Sequence, residues 1–325
     1  MIPFRFTKAT DERSAFAAAR PGAVFVAGGT TLVDLMRETV MRPTALVDIN
    51  ALPYRFIELR SSTLRLGSLA RMSDVAAHPD VRREFPVIAQ ALELSASAQV
   101  RNMASIGGNL LQRPRCLYFR DVSAGCNRRA PGSGCSAIGG LNRGHAILGA
   151  SQQCVATHPS DLAVALTALD AVVVARTSHG ERRIPIGQLF RRPGNTPEQE
   201  HNLGGGELIV AVEIATGPEM RRSGYLKVRD RASFEFALAS AAVALDIRGG
   251  TIRTARVAVG GVATVPWRLP AVEQALQGRA PDDALWKAAS DLAADGAHPL
   301  SDNAFKVELV KRTVERQLAT VAALP

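Results

Sequence analysis

Cys116, Cys126, Cys135 and Cys154 are the only cysteines of the chain, and the segment that holds them reads as neither helix nor strand. Regular patterning runs up to it and resumes after it. Any fold must therefore accommodate one long irregular insertion carrying four thiols, and loops of that length are as a rule functional or disordered. The spacing C-x9-C-x8-C-x18-C lacks the C-x2–4-C pair that opens most structural zinc sites. It also matches no ferredoxin pattern. Disulfide frameworks belong to short, secreted, cysteine-dense chains, whereas this one has 325 residues. Four thiols in one glycine- and arginine-rich loop point to a single metal centre. Spacing alone leaves an iron–sulfur cluster, a zinc ion and unligated or disulfide-bonded thiols open.

Composition narrows the class. Hydrophobic residues make up 46% and charged residues 21%, ordinary for a globular protein with a sizeable core. The length allows two or three domains. No apolar run approaches the ~20 residues that cross a bilayer. The start, Met1-Ile2-Pro3-Phe4-Arg5-Phe6, lacks the apolar core of a signal peptide. The expectation is a chain with no export signal of its own, cytoplasmic, or periplasmic if carried out by a partner. The net charge of +9 permits nucleic-acid binding, but only 5% of residues are aromatic and no basic stripe with interleaved aromatics occurs. Nucleic acid is therefore not expected. Arg113, Arg115, Arg120, Arg128, Arg129 and Arg143 enrich the cysteine segment. They are either a solvated loop or a counter-charge for an anionic cofactor or acidic partner.

The pattern along the chain divides it in three. In residues 1–54, a helix over Asp11–Arg20 capped by Thr10 or Asp11 precedes a buried strand, Ala23–Ala27. A Gly28-Gly29-Thr30-Thr31 turn follows, then a helix over Leu32–Thr39 with Leu32, Leu35 and Met36 on one face, and a strand, Ala45–Ile49. This is a βαβ-like module. Residues 55–218 carry a strand over Thr63–Gly67, a short helix from Ser73 and a helix over Val87–Val100. After the cysteine insertion, at about 113–155, come a helix over Asp161–Leu169 and strands at Ala171–Ala175, after the His179-Gly180 turn, and at Glu207–Val212. Residues 219–325 open with strands at Tyr225–Arg229, Ala239–Ile247 and Arg253–Val259. From Ala271 they turn helical, through Asp282–Asp295 and Ser301–Ala322. Strands followed by helices make the class α+β.

Two glycine turns carry the binding chemistry. In Val26-Ala27-Gly28-Gly29-Thr30-Thr31-Leu32 the glycines free successive amide N–H groups to face an anion, and the next helix adds its positive end. A pyrophosphate fits, although a lone Gly-Gly after a strand is more often an ordinary turn. The third glycine and distal acid of the Rossmann fingerprint are missing. Ser105-Ile106-Gly107-Gly108-Asn109 is a second such loop. Two on separate modules can close on one dinucleotide from both sides.

Four motifs in order resemble a known family. They are Ala27-Gly28-Gly29-Thr30, then Arg101-Asn102-x-Ala104-Ser105-Ile106-Gly107-Gly108-Asn109, then Pro159-Ser160-Asp161, then Tyr225-x-Lys227-x-Arg229-x-Arg231-x-Ser233-Phe234. They resemble the FAD-binding medium subunit of molybdenum hydroxylases, which include xanthine and carbon monoxide dehydrogenases and aldehyde oxidoreductases. The likeness spans nearly the whole chain. Its cysteine loop, from Arg115-Cys116-x-Tyr118-Phe119 to Cys154-x-Ala156-Thr157-His158, is similar to the branch in three-subunit bacterial aldehyde oxidoreductases whose medium subunit carries a [4Fe-4S] cluster.

The resemblance implies a two-part FAD-binding domain of the PCMH (vanillyl-alcohol oxidase-like) type followed by a domain of antiparallel sheet plus helices. It implies FAD and a [4Fe-4S] cluster on Cys116, Cys126, Cys135 and Cys154. Val26, Ala27, Gly28, Gly29, Thr30, Thr31 and Leu32 would hold the pyrophosphate. Ser105, Ile106, Gly107, Gly108 and Asn109 would close from the other side, with Ser at position 105 where Thr is common. Asp161 would meet the adenosine end and Lys227 the isoalloxazine. Ile209 joins the cofactor contacts, and Arg101 and Asn102 hold or brace the second loop. For Asp161 and Lys227 the plainer readings are a helix N-terminal acid and a surface lysine. His145 reads as an ordinary loop histidine and His158 as a structural residue at the cofactor's edge.

By the same resemblance the chain is an electron-transfer subunit with no catalytic residue of its own. Its partners would be a molybdenum-cofactor large subunit and a [2Fe-2S] small subunit, in a heterotrimer or a dimer of heterotrimers. A stand-alone flavin oxidase and a non-enzymatic zinc-loop binding protein are the rival readings.

Overall fold

The computed structural model describes all 325 residues, and its strands form three sheets. The first sheet is parallel, in the order β1 (Arg5–Lys8), β3 (Ala45–Asp48), β2 (Ala23–Val26). Helices Glu12–Ala18 and Leu32–Arg37 make the crossovers. The first starts where Asp11 accepts a hydrogen bond from the Ser14 amide at 2.7 Å and Ser14 Oγ accepts one back from the Asp11 amide at 3.2 Å, a reciprocal cap. Strand, glycine turn, helix and parallel strand over 23–48 form the expected module. β1 is exposed along its whole length, so its sequence carries no alternating pattern to mark it.

The second sheet is antiparallel. Its strands are β4 (Ile57–Arg60), β5 (Thr63–Gly67), β6 (Val172–Thr177), β7 (Gly180–Pro185) and β8 (Leu208–Ala215), in the order β4-β5-β8-β6-β7. Everything from 68 to 171, including the cysteine insertion, lies between β5 and β6. The helix expected over Val87–Val100 is two, Pro86–Glu93 and Ala98–Met103. Ala96 takes a left-handed φ of 49° and Ser97 caps the second helix, accepting from the Val100 amide at 3.3 Å. The serines at 95 and 97 compete for backbone hydrogen bonds and end the first helix there.

The third sheet runs β12-β11-β10-β9, antiparallel: β9 (Ser223–Val228), β10 (Ala239–Arg248), β11 (Thr251–Gly260) and β12 (Trp267–Arg268). β10 is buried on both faces. Ala239, Ala241, Val243 and Leu245 enter a core under helices Pro270–Leu276, Asp283–Asp291 and Phe305–Ala322. Ala242 and Ala244 point the other way, into the core that holds helices Pro86–Glu93 and Asp161–Ala168. The period of two thus welds the C-terminal sheet to the preceding unit. Helix Asp161–Ala168 is buried all round, as a helix between two packed layers must be. No helix is long and apolar enough to cross a membrane.

Candidate functional site

A cavity of about 1100 Å³ opens between the first sheet and the second. All of Val26 to Leu32 lines it, with Ser105, Gly107, Gly108 and Ile209. The amide N–H groups of Gly28, Gly29, Thr30 and Thr31 donate to no acceptor within the chain. Four consecutive free amides before a helix make a cradle for an anion. Gly28 must be glycine: a Cβ there would fall 1.9 Å from the Met103 carbonyl oxygen. Gly29 sits at φ +70°, a region that suits glycine.

The close approach of Gly28 to Met103 joins the two glycine loops. Asn50 Nδ2 donates to the Ala27 carbonyl at 3.0 Å, and Arg71 donates to the Met103 carbonyl and to Asn50 Oδ1. Nothing local in the sequence marks Asn50 or Arg71, since their contacts reach across more than twenty residues. The Ser105 hydroxyl accepts from the Gly108 amide at 3.2 Å, and the Gly107 amide donates to the Ser68 carbonyl at 2.8 Å. The second loop therefore uses its amides internally and offers close backbone rather than free donors.

Six expected contacts lie away from the cavity wall. Ile106 is buried in the core. Asn109 accepts from the Ser160 hydroxyl at 2.6 Å and donates toward Met72 Sδ. Arg101 donates to the Ser95 carbonyl at 2.7 Å, and Asn102 is exposed. Asp161 and Lys227 form a buried ion pair at 2.7 Å. The same carboxylate accepts from Tyr225 Oη at 2.7 Å and Ser95 Oγ at 2.9 Å. Lys227 also donates to the Leu94 carbonyl at 3.1 Å. Charges this deep must satisfy each other, so the pair ties β9 to helix Asp161–Ala168 rather than facing the cavity.

The outer wall comes from residues without periodicity, among them Arg113, Arg191 and Glu198 to Gly204. Glu207 pins this rim. It accepts from Arg182 at 2.6 Å and from the Gly204 amide at 2.7 Å. The Arg182 guanidinium holds its carboxyl below the usual carboxylate range.

The cysteine loop has one short helix, Leu117–Arg120, and a small apolar cluster of Leu35, Phe119 and Cys126. All four thiols are free, and Cys126 pairs with Cys135 in an isolated antiparallel bridge. Ile147 and Leu148 enter the C-terminal core, and side chains clasping carbonyls hold much of the rest. Arg129 donates to the Tyr118 and Phe119 carbonyls at 2.7 Å, and Lys306 to those of Gly144, His145 and Gly261. Burial pushes the Lys306 ammonium down to about 7.

Burial pushes the Cys116 thiol up to about 11, against hydrogen bonds from the Phe119 and Tyr118 amides. Cys135 is raised by burial and receives the amides of Ala137, Val155 and Ile138. His145 Nε2 lies 3.2 Å from Cys116 Sγ, and Arg128 donates toward Cys154 Sγ at 3.5 Å. N–H groups aimed at sulfur stabilise thiolates and sulfur-bound clusters. No group of three or more His, Cys, Asp or Glu side chains is arranged to hold a metal ion.

Residues 4–216 match the family described as the FAD binding domain in molybdopterin dehydrogenase, and residues 224–321 the CO dehydrogenase flavoprotein C-terminal domain. The chain belongs to this FAD-binding family. The aldehyde oxidoreductase FAD-binding subunit PaoB of Escherichia coli is 46% identical over 317 residues, 97% of this chain and 96% of the relative. The carbon monoxide dehydrogenase medium chain of Hydrogenophaga pseudoflava is 26% identical, covering 99% of this chain and 100% of its own. A solved carbon monoxide dehydrogenase from Hydrogenophaga pseudoflava superposes with a TM-score of 0.77 at 24% identity, over 99% of both chains. Quinoline 2-oxidoreductase from Pseudomonas putida gives 0.77 at 21% identity, over 99% of this chain and 97% of its own. At such identities these structures speak for the mixed helix-and-sheet fold. The family makes the chain an FAD-binding member of an oxidoreductase class.

Proposed function

We propose that this chain is the electron-transfer subunit of a molybdenum-dependent aldehyde oxidoreductase, carrying FAD and a [4Fe-4S] cluster. The observation that carries the FAD reading is the run of unpartnered amides from Gly28 to Thr31 inside a cavity of dinucleotide size. Those amides bind the pyrophosphate. The Gly107-Gly108 backbone closes on the opposite side, and Ile209 supplies apolar contact. FAD, when bound, exchanges electrons singly or in pairs, and this redox chemistry is the cofactor's own. The residues of the chain bind it, orient it and shield it from water.

The four cysteines are proposed as cluster ligands. The N–H groups aimed at Cys116, Cys135 and Cys154 support this reading. The partners are a molybdenum-cofactor large subunit and a [2Fe-2S] small subunit, on the likeness to the aldehyde oxidoreductase subunit. Residues 1–54, 55–218 and 219–325 are proposed as the folding units.

The visible spectrum and metal content of the purified chain test the reading. Flavin bands, a broad shoulder near ~400 nm and about four irons per chain are expected. One zinc and no iron would overturn the cluster assignment, and a colourless protein would overturn both.

A further inference from the structure

A line of charged side chains runs from the cysteine loop to the cavity. Arg128 is buried and donates toward Cys154 Sγ at 3.5 Å. Its Nη1 lies 3.1 Å from Glu200 Oε2. The other oxygen of Glu200 lies 2.5 Å from Nη2 of Arg113. Glu200 and Arg113 both line the cavity. The three side chains are only 6%, 17% and 25% exposed, for Arg128, Glu200 and Arg113 in turn, so solvent screens them weakly. Nε of each arginine finds no acceptor within the chain.

The backbone fixes this line in place. The segment that carries Glu200 closes on itself through the Arg191 amide, 3.0 Å from the Glu200 carbonyl, and through the pairing of Phe190 with His201. It docks on the insertion at further points. Ser151 Oγ donates to the Gly194 carbonyl at 2.8 Å, and Phe190 meets His158 edge-on at 4.4 Å between ring centres. One stretch of chain is therefore both a wall of the cavity and the neighbour of the cysteines.

A fixed charge in a poorly screened site shifts the reduction potential of every redox group near it, and a hydrogen bond to a ligand sulfur favours the reduced cluster. We propose that Glu200, held between Arg128 and Arg113, is a positioning residue whose negative charge couples the cluster site at Cys154 to the flavin cavity. The inference rests on the readings of Cys154 as a cluster ligand and of the cavity as the FAD site. It gives the insertion a part in setting the flavin's potential, beyond holding its own loop together.

The test is an anaerobic spectroelectrochemical titration of the full chain, loaded with iron and FAD, with dithionite as reductant. Glu200→Gln keeps the shape and removes the charge, and both midpoint potentials should rise. Arg128→Gln should lower the cluster potential most and the flavin potential less, and Arg113→Gln the reverse. A fully loaded Glu200→Gln chain with one potential or neither shifted overturns the inference. Should that variant not load both groups, the arginine variants decide, since a shift confined to one end overturns the coupling equally. Iron analysis of the wild-type chain comes first. If it holds no iron, the cluster reading fails and takes the inference with it, a failure distinct from unshifted potentials in an iron-loaded chain.

Discussion

Residues 26–32 and residues 113–155 both supply candidate cofactor contacts, yet they are held by different means. The first region is a turn between a strand and a helix of a parallel βαβ module, backed by the core that includes Val47, Leu69 and Leu208. Its geometry follows from regular hydrogen bonding and apolar burial. The second has one four-residue helix and, apart from Phe119 and the Ile147-Leu148 pair that enters the C-terminal core, little apolar packing. Its shape depends on Arg129, Asn127, Asn142 and Lys306 reaching carbonyls across the loop. Burial of apolar surface stabilises the first region without a ligand. In the second, metal ligation would contribute folding free energy directly. The flavin frame should therefore outlast the loss of its cofactor, whereas the insertion should not outlast the loss of the proposed cluster.

The largest expected effect follows from that difference. Cys126→Ser should remove essentially all iron and raise the protease sensitivity of 113–155, with most FAD retained. Equal loss of FAD would break the comparison. Next comes Lys227→Met, which strands the Asp161 carboxylate in the core. It should cost about 3–5 kcal/mol in urea unfolding, and a further Asp161→Asn change should recover most of it. A single variant that unfolds like the wild type but loses FAD would return Lys227 to the flavin. Gly28→Val then places a side chain against the Met103 carbonyl. FAD affinity should fall by about 100-fold, roughly 2.7 kcal/mol, with iron content unchanged. Full FAD occupancy would reduce the cradle to a simple turn.

The smallest effect sharpens the role of His158. Burial, and then the neighbouring Arg128 charge, push its imidazole down to about 3 from an ordinary 6.5. Between those values the unfolded chain binds a proton that the folded chain refuses, so stability falls as pH drops below 6.5. His158→Phe should lessen this acid loss by roughly 1 kcal/mol between pH 6.5 and about 5.5. Parallel stability profiles for the two proteins would show that the imidazole is not shielded.

What was legible in the sequence was local. The Gly28-Gly29 turn, the Ser105–Asn109 loop and the strand-then-helix order of the last third each declare themselves within a few residues. So does the irregularity of the cysteine segment. The break at Ala96 was hidden, because alanine and leucine on both sides read as one helix. Asn50, Arg71 and Glu200 were illegible for another reason, since each acts through partners far along the chain. Asp161 and Lys227 stood out as motif residues, but only three-dimensional structure sets them against each other.

The central claim is that this chain moves electrons without activating substrate. Anaerobic mixing of the purified single chain, loaded with FAD and iron, with a panel of aldehydes tests it most directly when flavin absorbance is followed. No bleaching is expected from any aldehyde alone, with rapid bleaching by dithionite. Substrate-driven bleaching should appear once the molybdenum and [2Fe-2S] chains are added. Rapid bleaching by an aldehyde without those chains would contradict the claim and give this chain a substrate site of its own.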